Sequence, residues 1–114
     1  MQATSQPIDQ TQNGSTPSSM QLTRELYGGE VYEYYPLGQY IVAAPGVCGG
    51  RPTFKYTRLE ASMILAWLAN GETIEEVVKG YARSKLTPEA VREAIQLASQ
   101  ALVQSTQALQ REVA

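Results

Sequence analysis

Histidine is absent from this 114-residue chain, and that gap alone removes much of the usual chemistry. Without an imidazole there is no Cys–His or Ser–His couple to activate a nucleophile, and no histidine ligand for a metal. The single cysteine, Cys48, excludes an internal disulfide. Aromatic residues other than tyrosine are nearly missing: one Trp and one Phe stand against seven Tyr. Charge is sparse and close to balanced, with nine basic and eleven acidic residues for a net −2. Bulk attraction to nucleic acid is therefore not expected. The longest apolar run, around Met63 to Ala69, is far too short to span a bilayer. No basic-then-apolar leader opens the chain. The acids Glu72, Glu75 and Glu76 sit where a helix begins and are explained by its dipole. No paired carboxylates and no GxxxxGK loop accompany them. These absences lead to the expectation of a cytoplasmic protein with no catalytic residues, no metal, no cofactor and no membrane contact.

What is present divides unevenly. Residues 1–19 are rich in Gln, Ser, Thr and Pro, with Ile8 almost their only apolar side chain. Such a segment cannot offset its ordering entropy and reads as a disordered tail. Residues 20–114 are then expected to form one domain, with a β-hairpin and Gly/Pro loop region over 20–58 and a three-helix bundle over 59–114. Only roughly 85–95 residues are left to build a core, which is marginal for a domain folding alone.

Tyrosine and valine dominate EVYEYY and QYIVAA, which flank Pro36-Leu37-Gly38. Proline favours the first central position of a type I turn and glycine a left-handed residue after it. A hairpin with strands near 31–35 and 39–43 follows. Tyr32, Tyr34, Tyr35 and Tyr40 lie together on it, either as cross-strand packing or as an aromatic surface for a partner. The stretch from Ala44 to Arg58 is punctuated by proline and glycine, and predicts a shaped loop followed by a short extended piece, Thr53–Tyr56.

Three helices come next. Residues 60–69 are apolar nearly all round and stop at Asn70-Gly71, which marks a central, buried helix with Trp67 in the core. Thr73 and Glu76 form a capping box for a second helix reaching about Ala82. Thr87-Pro88-Glu89 opens a third, with a Thr cap and Pro in the first turn, and nothing interrupts it before Arg111. Ile95, Leu102 and Leu109 recur every seven residues, with Val91, Ala98 and Ser105 in the companion register. At ~22–25 residues, or ~35 Å, this helix outlasts neighbours of ~10 residues. Leaving Leu102 and Leu109 wet forgoes roughly 1.5–3 kcal/mol each. A homodimer seam through Ile95, Leu102 and Leu109 is the expected remedy.

A more specific pattern runs from Tyr40 to about Ala98. Pro45-Gly46, Cys48-Gly49-Gly50-Arg51-Pro52, Thr57-Arg58, Gly71, Tyr81 and Leu86-Thr87-Pro88-Glu89 together resemble the bacterial domain of unknown function 433. The resemblance implies a homeodomain-like helix-turn-helix preceded by short strands, and for many members a VapB-like antitoxin role beside a PIN-like ribonuclease toxin. Three positions depart from the pattern: Tyr56 replaces a glycine, Glu60 a proline, and Ala82 the proline after tyrosine. Glycine before Thr-Arg signals a positive φ that tyrosine resists.

The fold expected is mainly α: a short N-terminal β-hairpin, then a three-helix, helix-turn-helix-like bundle with an extended C-terminal helix. In that geometry the N-terminal side of the third helix meets DNA. Arg83, Lys85, Thr87, Arg92 and Gln96 are the candidate contacts, with Arg92 suited to guanine, Gln96 to adenine and Lys85 to phosphate. Glu89 and Glu93 oppose this unless paired. The alternative is an ordinary solvated helix face. Cys48-Gly49-Gly50-Arg51 is either an anion-binding nest or a tight turn, and Arg51 and Arg58 are either ligand contacts or ties to helix C-termini. Two functions remain open: an antitoxin-like dimer that binds a toxin and DNA, or a protein-interaction module with no nucleic-acid role.

Overall fold

Gly28 (φ 62°) and Gly29 (φ 84°) form a two-residue turn between strands. Left-handed geometry at both positions matches the natural twist of a hairpin, which is why glycine occupies them. The computed structural model describes residues 21–113; the tail expected over residues 1–19 lies outside them. The turn joins β1 (Thr23–Tyr27) to β2 (Glu30–Pro36), with Tyr27 opposite Glu30 and Thr23 opposite Tyr34. β3 (Ile41–Ala43) and β4 (Pro52–Phe54) complete one antiparallel sheet in the order β1-β2-β3-β4.

This sheet corrects the expectation of a mainly α chain with a short hairpin: four strands precede the helices. β1 escaped the sequence reading, and β4 was expected only as a short extended piece over Thr53–Tyr56, for physical reasons. β1 carries Arg24 and Glu25 among its five residues, so it lacks an apolar rhythm. β4 has three residues and begins at a proline. Gln39 and Tyr40 are not strand, because they belong to the turn that brings Leu37 N–H to Ile41 O at 2.9 Å.

β3 is buried on both faces. Ile41 packs with Phe54 against the helices, while its neighbour Val42 packs with Tyr34 and Ala44 on the other side. The helices are α1 (Ala61–Ala69), α2 (Ile74–Gly80) and α3 (Pro88–Val113). They contribute Ile64 from α1, Val77 from α2, and Ala90, Val91 and Ala94 from α3 to the core shared with Ile41 and Phe54.

α1 is not the central helix. Only Ala61 and Ile64 are buried in it, and Trp67 is 43% exposed. The indole N–H donates to the Tyr81 hydroxyl at 3.0 Å, which keeps Trp67 at the surface near a polar partner. α2 carries the expected capping box: Glu76 N–H donates to Thr73 Oγ1 at 3.0 Å and Thr73 N–H to Glu76 Oε1 at 2.8 Å. Thr87 caps α3 by accepting from Ala90 N–H at 3.2 Å. Among the described residues no helix is long and apolar enough to cross a membrane.

One side chain locks the sheet to α3. The Glu93 carboxylate accepts N–H groups from Gln39 (2.8 Å), Tyr40 (2.7 Å) and Ile41 (3.1 Å). The turn comes this close because residue 38 has no side chain: a Cβ there would lie 2.5 Å from Glu93 Cδ. Gly38 is therefore selected for proximity to Glu93, and it does not adopt the left-handed conformation expected of it. Gly38→Ala is expected to cost about 1–3 kcal/mol through overpacking. Most of that cost should vanish in a Glu93→Ala background, because the clash and the clamp share one carboxylate. Urea unfolding of the four proteins in the cycle measures this.

Candidate nucleic-acid interface

The Thr57 hydroxyl shapes the turn after β4. It donates to Phe54 O at 2.7 Å and accepts from Leu59 N–H at 3.0 Å, which closes the chain tightly and leaves Arg58 exposed. Just before it, Tyr56 takes φ 69°. The turn keeps the left-handed residue that a glycine would supply, at a cost for tyrosine of about 1–2 kcal/mol.

The Tyr56 side chain offsets that cost through the hairpin. Its ring stacks on Tyr27 with centroids 4.3 Å apart and planes 17° from parallel. Its hydroxyl donates to Glu25 Oε1 at 2.5 Å, and its N–H donates to the Tyr32 hydroxyl at 3.0 Å. Glu25 also accepts the Tyr34 hydroxyl at 2.5 Å and lies 3.7 Å from Lys55 Nζ. Tyr32 and Tyr34 thus form a packed cluster with Tyr27 and Tyr56, two members that the hairpin reading did not include, whereas Tyr40, expected with them, packs against the helical core.

Protonation states in this cluster follow from its hydrogen bonds. The Tyr34 hydroxyl, then the Tyr56 hydroxyl, hold the Glu25 carboxyl below its ordinary value of 4.5. Donation to Glu25, aided by burial, pushes the Tyr56 phenol above its ordinary 10.0. Lys55 is held above the usual lysine range by hydrogen bonding to Tyr34, and secondarily to Tyr56. A lowered carboxyl stabilises the fold above its unfolded value and loses that contribution as pH falls through the folded one. A raised phenol does so below its unfolded value and loses it as pH rises through the folded one. Docking of β1 onto Tyr56 is therefore expected to be intact from about pH 5 to 9 and to loosen on either side. Ring-proton chemical shifts of Tyr27 against pH report it.

Across from this turn lies the connection from α2 to α3. A short 3₁₀ turn, Ala82–Ser84, ends in Lys85, which takes φ 56°. Tyr56 and Lys85 are thus both non-glycine residues in the left-handed region, and strain of this kind concentrates at functional sites. The two turns and Tyr27 enclose a cleft of about 590 Å³ lined by Lys55, Arg58, Arg83 and Lys85, with no carboxylate in its wall. A second lobe of about 350 Å³ continues past Lys55 and Lys85 to Thr87 and Ala90. Among the described residues no carboxylate lies within ion-pair distance of Arg58, Arg83 or Lys85. Four of the nine basic residues therefore converge on one concavity. Such a wall can hold anions.

The structure brings together some of the residues expected from the sequence and separates others. Arg83, Lys85 and Thr87 border the cleft, joined by Thr57 and Arg58. Arg92 and Gln96 are exposed on α3 but do not line it. Glu93, expected to repel phosphate, is instead occupied by its three backbone donors. Arg51 is engaged by Glu60 at 2.9 and 3.1 Å, just before the N-terminus of α1 and not at a helix C-terminus. That pair raises the Arg51 pKa and lowers the Glu60 pKa, with the mutual hydrogen bond as the first cause of each. In the Cys48-Gly49-Gly50 turn, N–H groups of Gly50 and Arg51 bond inward to Val47 O and Cys48 O. Cys48 Sγ donates to Arg58 O at 3.4 Å, and Pro52 starts β4. The Gly50 and Arg51 bonds close the loop into a tight turn. Lys55, Tyr56 and Tyr27 were missed as cleft residues. The signal for Tyr27 was Gly28-Gly29 between two runs with β character.

Among the described residues no cluster of His, Cys, Asp or Glu could hold a metal. Along α3, Ile95, Leu102, Val103 and Leu109 are exposed in the single chain, whereas Val91, from the companion register, is fully buried in the core. No curated protein and no solved structure matches the chain. Residues 41–98, from β3 through the first turns of α3, match the family described as "Protein of unknown function (DUF433)", and the chain belongs to that family.

Proposed function

We propose that this chain is a non-catalytic nucleic-acid-binding protein that grips phosphates with the cleft between the Tyr56 turn and the α2–α3 turn. The observation that carries the reading is the convergence of Arg58, Arg83 and Lys85, none of them paired with a carboxylate among the described residues, on a wall that has none. An unpaired cation gains more from a phosphate than one already neutralised by the protein. The net charge of −2 does not oppose this, since local concavities focus the field.

A protein partner is the second part of the proposal. No charged residue occurs between Glu93 and Arg111, and Leu102, Val103 and Leu109 are each more than half exposed. A 26-residue helix of this composition is poorly suited to solvent along its outer half. Self-association through Ile95, Leu102 and Leu109 buries them. In a cytoplasmic antitoxin, the role implied by the resemblance noted above, the same stripe would instead receive a PIN-like toxin.

Titration of a labelled oligonucleotide at about 50 and 200 mM salt tests the first part. Three phosphate contacts predict a loss of about fortyfold in affinity between them. No binding at the lower salt removes nucleic acid from the account and leaves an interaction module.

A further inference from the structure

The wall of this cleft is aromatic as well as basic, and the aromatic part does not suit a duplex. Tyr27 is 52% exposed with one ring face on Tyr56, itself 39% exposed. The Tyr56–Tyr27 pair is thus a started stack whose outer member is open to solvent, and both rings line the same concavity as Lys55, Arg58, Arg83 and Lys85. The stack is held before any ligand arrives: Glu25 fixes the Tyr56 hydroxyl, and the Tyr32 ring lies 5.4 Å from that of Tyr56. Little ordering entropy is then left to lose on binding.

A base in a duplex has both faces covered by its neighbours and offers only edges in the grooves. An aromatic platform inside a cationic cleft needs the face of an unpaired base, with cations holding the flanking phosphates. Here two turns bring cations to the concavity that the stack lines, Lys55 and Arg58 in one and Arg83 and Lys85 in the other. The cleft, at about 590 Å³, falls within the range that encloses a small organic ligand.

Resting on the phosphate-binding reading, we propose that the ligand of this cleft is a single-stranded nucleic acid, one base of which stacks on Tyr27 to extend the Tyr56–Tyr27 pair. Selectivity among bases is weak, since every base has a π face. The strand enters beside the α2–α3 turn, so the outer face of α3 that carries Arg92 and Gln96 is not its contact.

The experiment is a pair of titrations by fluorescence anisotropy, using a labelled 12-nucleotide DNA strand of mixed sequence and the duplex it forms with its complement. The proteins are the full chain, Tyr27→Leu, Tyr27→Trp and Arg83→Ala/Lys85→Ala. The single strand is expected to bind at least tenfold more tightly than the duplex. Tyr27→Leu should weaken the single strand by about 5- to 150-fold and leave the duplex unchanged, the range expected for one stacked base. Tyr27→Trp, which keeps a π face, should retain or improve single-strand binding, and it guards against a folding defect at this position. The double cation variant should weaken both. Equal or tighter duplex binding overturns the proposal, as does a Tyr27→Leu variant that binds both nucleic acids like the parent. If neither nucleic acid binds at low salt, the phosphate-binding reading itself falls, and the stacking proposal with it.

Discussion

Glu93→Ala is expected to destabilise the domain by about 2–4 kcal/mol, the largest effect of any single substitution considered. The three N–H groups of Gln39, Tyr40 and Ile41 converge on this carboxylate at 2.7–3.1 Å. Ile41 is fully buried and Tyr40 half-buried, so water replaces the lost acceptor poorly at both. An orphaned buried donor costs about 1–3 kcal/mol, and hydrogen bonds to a charged acceptor exceed neutral ones. The exposed Gln39 N–H adds little, because it recovers a bond to solvent. Glu93→Gln keeps one acceptor oxygen and should fall between parent and alanine. For a domain of this size each kcal/mol lowers Tm by about 4–8 °C, so thermal unfolding separates the three proteins clearly. An alanine variant as stable as its parent would mean that the sheet docks on α3 through Ile41 and Val91 alone.

The second large effect concerns binding. Replacing Arg58, Arg83 and Lys85 together by alanine should reduce the slope of log affinity against log salt by about 3, since each contact releases about one counterion. At about 100 mM salt the affinity should fall by a factor of a hundred or more, at ~1 kcal/mol or more for each lost phosphate contact. The fold should tolerate the change, because all three side chains are exposed and lack ion pairs among the described residues. Lys85→Ala leaves the left-handed conformation as costly as before, so Lys85→Asn, which tolerates φ 56° better, is the control for backbone strain. Replacing Arg92 is expected to change the slope by less than any of the three. An unchanged slope in the triple variant would place phosphate contact elsewhere, with the Arg92 face of α3 the first alternative.

The departures from the family pattern acquire an explanation in the fold. Tyr56, where glycine is usual, reaches back to Glu25 and Tyr27 in β1, and β1 lies outside the matched residues 41–98. Glu60, in place of proline, holds Arg51 by two hydrogen bonds. Ala82, again in place of proline, opens the 3₁₀ turn that presents Arg83. At Tyr56 and Glu60 the side chain makes contacts that a glycine or a proline there could not. Tyr56 does so most consequentially, since it joins the β1–β2 hairpin to the cleft.

Legibility in the sequence tracked how local each determinant was. The capping box at Thr73 and Glu76, the Thr87 cap and the long reach of α3 depend on neighbours within four residues, and all were read directly. The cationic turn at Arg83 and Lys85 was equally visible. The antiparallel sheet was half-read, because β1 and β4 are short, polar or proline-led, and become strands only by pairing with β2 and β3. Trp67 was misplaced for a related reason: an all-apolar helix gives no periodicity from which to choose a buried face, and packing against the core made that choice.

By itself the sequence determined the helices, their caps, the absence of histidine chemistry and the family to which residues 41–98 belong. Only the tertiary structure decided that Glu93 is a clamp, that Gly38 exists to let it close, and that Arg58 meets Arg83 across a cleft roofed by Tyr27. The reason is separation along the chain. Glu93 acts on residues 52 to 54 positions away, and Tyr56 on one 31 away, distances over which no periodicity carries information and only the packed backbone sets what meets what.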